Sequence, residues 1–132
     1  LYFPKIGQAI TEAQAKGLVG RGPFHHTVLG NWFIRALEPP PRFKVTATGP
    51  LRPASEQSLE NGAREFQAAQ DQLRHLIRQS DGLDLARVRL SSPATSLVQV
   101  TLGQSLVIML AHERRHLWQA RQVKGAAGFP RA

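Results

Sequence analysis

The sequence contains no cysteine, so neither a disulfide framework nor a thiolate metal site can form. Any metal ion must therefore be bound by histidine, carboxylate or backbone oxygen ligands. The chain also lacks an apolar run of the roughly 18 residues that a membrane-spanning helix needs. The missing disulfides fit a reducing compartment, and we expect a cytoplasmic protein with no membrane partner.

Acidic residues are few: nine Asp and Glu against 17 Lys and Arg give a net charge of +8. A strongly basic chain raises the question of nucleic acid binding, because neutralised phosphates dominate such affinities. The basic residues are scattered, however, and no block of Lys and Arg is interleaved with aromatic residues. We therefore expect a solvated basic surface and no nucleic acid partner.

Helical patterns occupy three parts of the chain, which at 132 residues has the length of a single domain. The first pattern covers residues 1–16. A segment rich in glycine and proline, from about 17 to 54, predicts a long crossover loop. Within it, residues 31–37 (NWFIRAL) fit a helical turn or two. Helical spacing of apolar residues returns over about 55–80 and again over about 102–123. The sequence therefore predicts an all-α fold that is part of an antiparallel bundle with one long crossover.

The last predicted helix contains the sequence HERRH, in which His112 and His116 are four residues apart. The two residues differ by only about 40° around a helix axis and stack one turn apart. Both imidazoles can therefore approach one metal ion at about 2 Å from each nitrogen. This geometry makes the pair half of a metal site. The alternative is a pair of hydrogen-bonded core histidines, which is the more common role of two histidines at this spacing.

The same letters match the H-E-x-x-H signature of zinc proteases, in which Glu113 would be the general base. The extended form of that signature requires a glycine and a histidine where this chain has Gln119 and Gln122. No Asp, Glu or His occurs from Leu117 to the end of the sequence. A standard zinc protease site is therefore excluded.

A third metal ligand would have to come from upstream of the last helix. His25 and His26 lie in the segment rich in glycine and proline, where we expect exposure to solvent. His75 lies beside the apolar stripe of its helix, which predicts a surface position. The remaining source is a segment before Leu1, because the opening letters LYFP are typical of the end of a packed element.

Several stretches of the chain together resemble the DinB-like superfamily (DinB/YfiT-like metal-dependent enzymes). Its last helix is similar to two adjoining stretches, TLGQSLVIMLA and HERRHLWQARQV. Its crossover loop is similar to GPFHHTVLGNWFIRALEPPPRFKV, and its third helix and connector to FQAAQDQLRHLIRQSDGLDLARVRLSSP. The resemblance covers essentially the whole chain. It implies a four-helix bundle with a long crossover loop, of which the first helix and the start of the second are missing.

The resemblance also implies a metal site made of three histidines, two from the last helix and one from the second. His112 and His116 match the last-helix pair, whereas the histidine of the second helix would fall before the LYFP run. The implied metal is nickel or zinc. Glu113 then either orients an imidazole or pairs with an arginine, and Gln119 hydrogen-bonds between helices.

Two functions compete at this point. The resemblance implies a metal-dependent enzyme that transfers low-molecular-weight thiols or hydrolyses small molecules. The other hypothesis is a non-catalytic helical scaffold or binding protein whose metal site is vestigial.

A truncated bundle would expose an apolar face, which favours a homodimer. The sequence has no phosphate-binding loop and no dinucleotide fingerprint, so it predicts no particular substrate.

Overall fold

The described part of the chain consists of helices and one small β-sheet in a computed structural model, which describes residues 2–40, 59–92 and 98–129. The helices are α1 (Phe3–Ala15), α2 (Val28–Leu37), α3 (Leu59–Gln79) and α4 (Leu102–Lys124). The strands β1 (Arg89–Ser91) and β2 (Gln99–Thr101) pair antiparallel. The predicted mainly α-helical class is confirmed, and none of the described helices has the length and hydropathy to span a membrane.

Helix α1 forms where the sequence predicts a helix over residues 1–16. Pro4 occupies its first turn, where the missing N–H costs no helical hydrogen bond. Its buried residues recur at helical spacing: Ile6, Ala9, Ile10 and Ala13. Gly17, at a φ of 59°, ends the helix, and the N–H of Leu18 then donates to the carbonyl of Ala13 at 2.9 Å. The helix therefore has one apolar face and a glycine stop, as its sequence pattern predicts.

Helix α2 lies inside the segment from about 17 to 54 that the sequence predicts to be a crossover loop, and it includes residues 31–37, whose pattern fits a helical turn or two. Thr27 is its N-cap, and the Thr27 hydroxyl accepts a hydrogen bond from the N–H of Gly30 at 3.1 Å. Gly30 is the buried residue of this helix. Because α2 packs against α4, tertiary contact stabilises a helix that its own sequence pattern only weakly indicates.

Helix α3 is predicted over about 55–80 and is described from Leu59 to Gln79. Only its C-terminal part enters the core, where Leu73 and Leu76 are buried. Phe66 is 50% exposed, although it belongs to the same predicted apolar stripe. The difference arises because α3 packs mainly against α1, which is the shorter helix.

Helix α4 occupies the centre of the fold. Helix α1 packs against both α3 and α4, while α2 packs along α4 on another face. Helices α2 and α4 run in the same direction, since Thr27 contacts Gln104 near their first turns and Glu38 contacts Arg114 further along. The sheet lies beneath α1, and the hydroxyl of Tyr2 donates to the carbonyl of Ser91 at 2.8 Å.

The core ends about halfway along α4. Its N-terminal half is buried against α1, α2 and the sheet, and the buried residues run from Leu102 to Ala111. Every residue from 119 to 129 is exposed. A helix of 23 residues is about 34 Å long, whereas the 13 residues of α1 span only about 20 Å. The C-terminal half of α4 therefore projects beyond the described helices that pack against it.

Candidate metal site on the last helix

His112 and His116 lie at the point where α4 emerges from the core. The Nε2 atoms of the two imidazoles are 3.2 Å apart. The ring centroids are 4.4 Å apart and the ring planes meet at 85°, an edge-to-face arrangement. Both residues are exposed. The spacing of four residues on a helix thus brings together the two nitrogens that the sequence predicts to be ligands.

The distance between these nitrogens fits a shared metal ion. Two imidazole nitrogens that each lie about 2.0–2.1 Å from a tetrahedral zinc ion are about 3.3 Å apart. The same distance also fits a hydrogen bond between the rings, if one ring carries its proton on Nε2 and the other does not. In either case the two Nε2 atoms lie side by side on one face of α4.

The protonation of His112 favours metal binding. Its pKa is lowered from the usual value for histidine, mainly because surrounding protein atoms partly desolvate the ring, even though the residue as a whole is exposed. The positive charges of His116 and Arg115 lower the pKa further. A lowered pKa keeps the imidazole of His112 neutral near pH 7, which is the form that binds metals.

The face of α4 that carries the two histidines is continuous with its buried face. Ser105 is fully buried on this stripe and Met109 is partly buried. His112 and His116 follow at helical spacing and are exposed, and Val123, further along the stripe, is 59% exposed. The histidines therefore lie on an apolar stripe just beyond the described residues that pack against it, not in the hydrogen-bonded core that was the alternative interpretation.

No third ligand joins the pair within the described residues, where no cluster of three or more His, Cys, Asp and Glu could hold a metal ion. His26 instead lies at the start of α4, where its Nδ1 is 2.8 Å from the hydroxyl oxygen of Thr101. Eleven residues separate Thr101 from His112, which is about 16 Å along a helix. His75 lies on the exposed surface of α3, and His25 is exposed as well.

The two residues expected to support the histidines occupy different environments. Glu113 is partly buried, about 100° around the axis from His112, and its charge contributes to a raised pKa of Arg114. Gln119 is exposed and lies beyond the described helices that pack against α4. The roles assigned to both residues therefore stay predictions.

Arg114, the residue after Glu113, forms an interhelical ion pair near the site. Arg114 donates from Nε to Oε2 of Glu38 at 3.0 Å, and its Nη2 contacts Oε1 of the same carboxylate. This bidentate contact lowers the pKa of Glu38, chiefly through the side-chain hydrogen bond. It ties the C-terminal end of α2 to α4 at a residue two positions from each histidine, on a different face of the helix.

A polar cluster at the N-terminal ends of α2 and α4 was not predicted. Gln104 forms a capping box with Thr101 and also reaches across to α2. Its Nε2 donates to the carbonyl of Thr27 at 2.6 Å and to Oδ1 of Asn31 at 2.9 Å. The spacing Thr101-x-x-Gln104 is the sequence signal that indicates the cap, but no local signal indicates the contacts with α2.

Two surface clefts lie elsewhere on the described part of the protein. One of about 250 Å³ is lined by His26, Asn31, Ile34, Arg35, Gln104 and Val107. A larger one of about 790 Å³ lies between the loop after α1 and the end of α3. Neither of these two clefts is lined by His112 or His116.

Comparison with known proteins identifies the family. Neither a curated protein nor a solved structure matches the chain. The family model described as the DinB superfamily matches residues 24–120, which is well over half of the sequence and includes α2, α3 and the histidine pair on α4. This chain therefore belongs to the DinB superfamily.

Proposed function

We propose that this chain is a metal-binding domain of the DinB superfamily that holds a divalent ion through the Nε2 atoms of His112 and His116. The observation that carries the proposal is the distance of 3.2 Å between those two nitrogens. Members of the superfamily often bind a metal. The lowered pKa of His112 supplies one neutral imidazole near pH 7, as metal binding requires.

The proposed ion is zinc or nickel. Imidazole nitrogen suits both metals, and the chain has no cysteine that could select a softer ion. The two histidines fit such an ion in their chemistry and spacing but provide only two of its ligands. The neighbouring Glu113 does not supply a further ligand, because its position is about 100° around the helix axis from His112.

For activity, we propose transfer of a low-molecular-weight thiol or hydrolysis of a small molecule. A bound divalent ion would supply Lewis acidity, which lowers the pKa of a metal-bound thiol or water molecule towards neutrality. The contribution of this chain is to hold two imidazoles side by side on one helix face. The open surrounding of the pair leaves room for a small substrate to approach.

The alternative is a non-catalytic scaffold or binding protein, and two features of the site favour it. The histidine pair lies outside both clefts, whereas catalytic sites of small-molecule enzymes are usually concave. The described residues also bring together two histidines instead of three.

We further propose a cytoplasmic location and no nucleic acid partner. Any binding of DNA through the net charge of +8 should therefore be weak.

The metal content of the purified protein tests the proposal. We expect a substantial fraction of chains to carry zinc or nickel, as measured by elemental mass spectrometry. His116→Ala should remove the metal, while His75→Ala, which changes an exposed histidine on α3, should not. Metal content that is equal in the native protein and His116→Ala would overturn the proposal.

The two functions are separated by a second assay on the metal-loaded protein. A catalyst would consume a thiol acceptor or a hydrolysable small molecule faster than the His116→Ala variant does. Equal rates for the two proteins over a panel of such compounds, with metal bound to the native one, would favour the scaffold.

A further inference from the structure

We propose that the smaller of the two clefts, about 250 Å³ between α2 and α4, binds a small aliphatic carboxylate. The carboxylate group is recognised by hydrogen-bond donors of His26, Asn31 and Arg35, which line the cleft. The hydrocarbon part of the ligand contacts the apolar side chains of Ile34 and Val107. This inference is independent of the proposed metal binding, because neither histidine of the pair lines the cleft.

Gln104 determines which atom of Asn31 is available to a ligand. Its Nε2 contacts the carbonyl of Thr27 at 2.6 Å and the side chain of Asn31 at 2.9 Å. Because the carbonyl of Thr27 can only accept, the Gln104 atom is the nitrogen, and the Asn31 atom that accepts from it is Oδ1. The acceptor oxygen of Asn31 is thus engaged within the protein. Its Nδ2 is left as a donor at the cleft.

Thr101 determines the role of His26 in the same way. The Thr101 hydroxyl is buried and accepts from the N–H of Gln104 at 3.1 Å. Its own proton needs an acceptor, and Nδ1 of His26 lies 2.8 Å away. When Nδ1 accepts this hydrogen bond, the neutral imidazole carries its proton on Nε2. His26 therefore offers the cleft a second N–H donor.

Arg35 supplies the positive charge. It follows Asn31 by one turn of α2 and is exposed. The three ion pairs found among the described residues use other arginines: Arg64, Arg74 and Arg114. Glu38, the acidic residue nearest to Arg35 in the sequence, is engaged by Arg114. A guanidinium group has only donors, in a fork that matches the two oxygens of a carboxylate.

The remaining lining of the cleft favours a small organic anion. Ile34 is partly buried and Val107 is 39% exposed, so both present apolar surface. None of the described residues that line the cleft is acidic. The larger cleft differs, because Asp81 lines it together with two arginines. Pockets for drug-sized ligands have volumes of about 300–1,000 Å³. A cleft below that range fits a carboxylate with a short hydrocarbon chain.

NMR titration of the isotope-labelled 132-residue chain with isovalerate, a short branched carboxylate, tests the proposal. We expect saturable shifts of the Asn31 side-chain amide and of the α2 backbone, with a dissociation constant on the order of 1 mM. Isovaleramide, which is neutral and has the same shape, should bind at least about tenfold more weakly because it lacks the charge-assisted hydrogen bonds. A buffer of about 0.15 M salt screens general attraction to the basic chain.

Arg35→Gln should weaken the binding of isovalerate by at least about tenfold. The position is exposed, and circular dichroism shows whether the variant keeps the native helix content. Arg121→Gln is the matched control, because it removes an exposed arginine that does not line the cleft. This control variant should bind isovalerate as tightly as the native protein does.

Four results would overturn the proposal. The first is the absence of saturable shifts in the native protein. The second is isovaleramide that binds as tightly as isovalerate, because the cleft would then not recognise the anion. The third is equal weakening by Arg35→Gln and Arg121→Gln, which would indicate general attraction to a basic surface. The fourth is inorganic phosphate that binds as tightly as isovalerate, because the apolar side chains would then make no contribution.

Discussion

The side chain of Gln104 and the residue Thr27 form two hydrogen bonds across the interface between α4 and α2. The amide Nε2 donates to the carbonyl of Thr27 at 2.6 Å, and the amide Oε1 accepts from the Thr27 hydroxyl at 2.9 Å. Gln104 is 1% exposed and also caps its own helix, where its Oε1 accepts from the N–H of Thr101 at 3.2 Å. One buried amide thus fixes the first turns of both helices.

Replacement of Gln104 by leucine should destabilise the fold. The leucine has a similar size but cannot accept from the buried N–H of Thr101 or from the Thr27 hydroxyl, so these groups lose a partner. The expected loss is about 1–3 kcal/mol in the free energy of unfolding. Chemical denaturation monitored by circular dichroism measures it. Gln119→Leu, at an exposed position on the same helix, is the control and should change the stability by less than about 0.5 kcal/mol.

Equal stabilities for Gln104→Leu and the native protein would show that the buried amide does not hold α2 against α4. A loss for Gln119→Leu as large as that for Gln104→Leu would show that leucine on α4 is harmful at any position.

Gly30 should tolerate no side chain, because α2 approaches α4 closely there. A methyl group at Gly30 would lie 2.4 Å from Oε1 of Gln104, which is held by its own hydrogen bonds. Gly30→Ala should therefore cost about 1–3 kcal/mol in the free energy of unfolding, as is typical of overpacking. Gly62→Ala on α3 has open space around it and should stabilise the protein by up to about 1 kcal/mol through helix propensity. Thermal and chemical unfolding of the two variants measures the contrast, and a stabilising Gly30→Ala would contradict the close packing.

The sequence predicts the elements whose signals are local and misses those that depend on tertiary contact. Helix α1 has a buried stripe and a glycine stop, so its pattern alone indicates it. Helix α2 has one buried residue, Gly30, and forms because Thr27 caps it and α4 packs against it. The sequence pattern of residues 31–37 therefore indicates only a turn or two of this helix.

The same limit applies to the candidate site. The proximity of His112 and His116 follows from helix geometry, because four residues return almost to the same face. Their exposure does not follow from helix geometry, because the stripe from Ser105 to Val123 has helical spacing throughout. Only the fold determines how far along this stripe other residues pack against α4. The ion pair of Arg114 with Glu38 joins residues that are 76 positions apart, and no local signal predicts it.

The titration of His112 should have its midpoint below the ordinary value of about 6.5 in the metal-free protein. Desolvation, His116 and Arg115 all lower this pKa. Because the folded pKa is the lower one, the unfolded chain binds more protons as the pH falls below about 6.5. The stability that this group contributes is therefore present above that pH and is lost as the pH falls through the folded pKa.

Proton resonances of the His112 ring, followed by NMR from pH 8 to pH 4, measure that midpoint. Arg115→Gln removes one positive charge and should move the midpoint upward, towards the ordinary value. A midpoint at or above 6.5 in the native protein would contradict the described environment of the ring.

The ion pair between Glu38 and Arg114 should contribute little to stability. Both side chains are partly exposed, at 36% and 48%, so water and salt screen the attraction. Glu38→Gln should cost less than about 1 kcal/mol in the free energy of unfolding. The cost should shrink further in 1 M salt, where the screening length is about 3 Å. Urea denaturation at low and high salt measures both effects, and a cost that is large and independent of salt would contradict the expectation.

Calorimetric titration of the metal-free protein with zinc tests the central claim most directly. We expect saturable binding for the native protein and for His75→Ala, with the release of protons at acidic pH as the imidazoles lose theirs. His112→Ala and His116→Ala should each bind at least tenfold more weakly, since each removes one of two ligands. Equal zinc affinities for all four proteins, or no binding by the native one, would contradict the assignment of this histidine pair as a metal site.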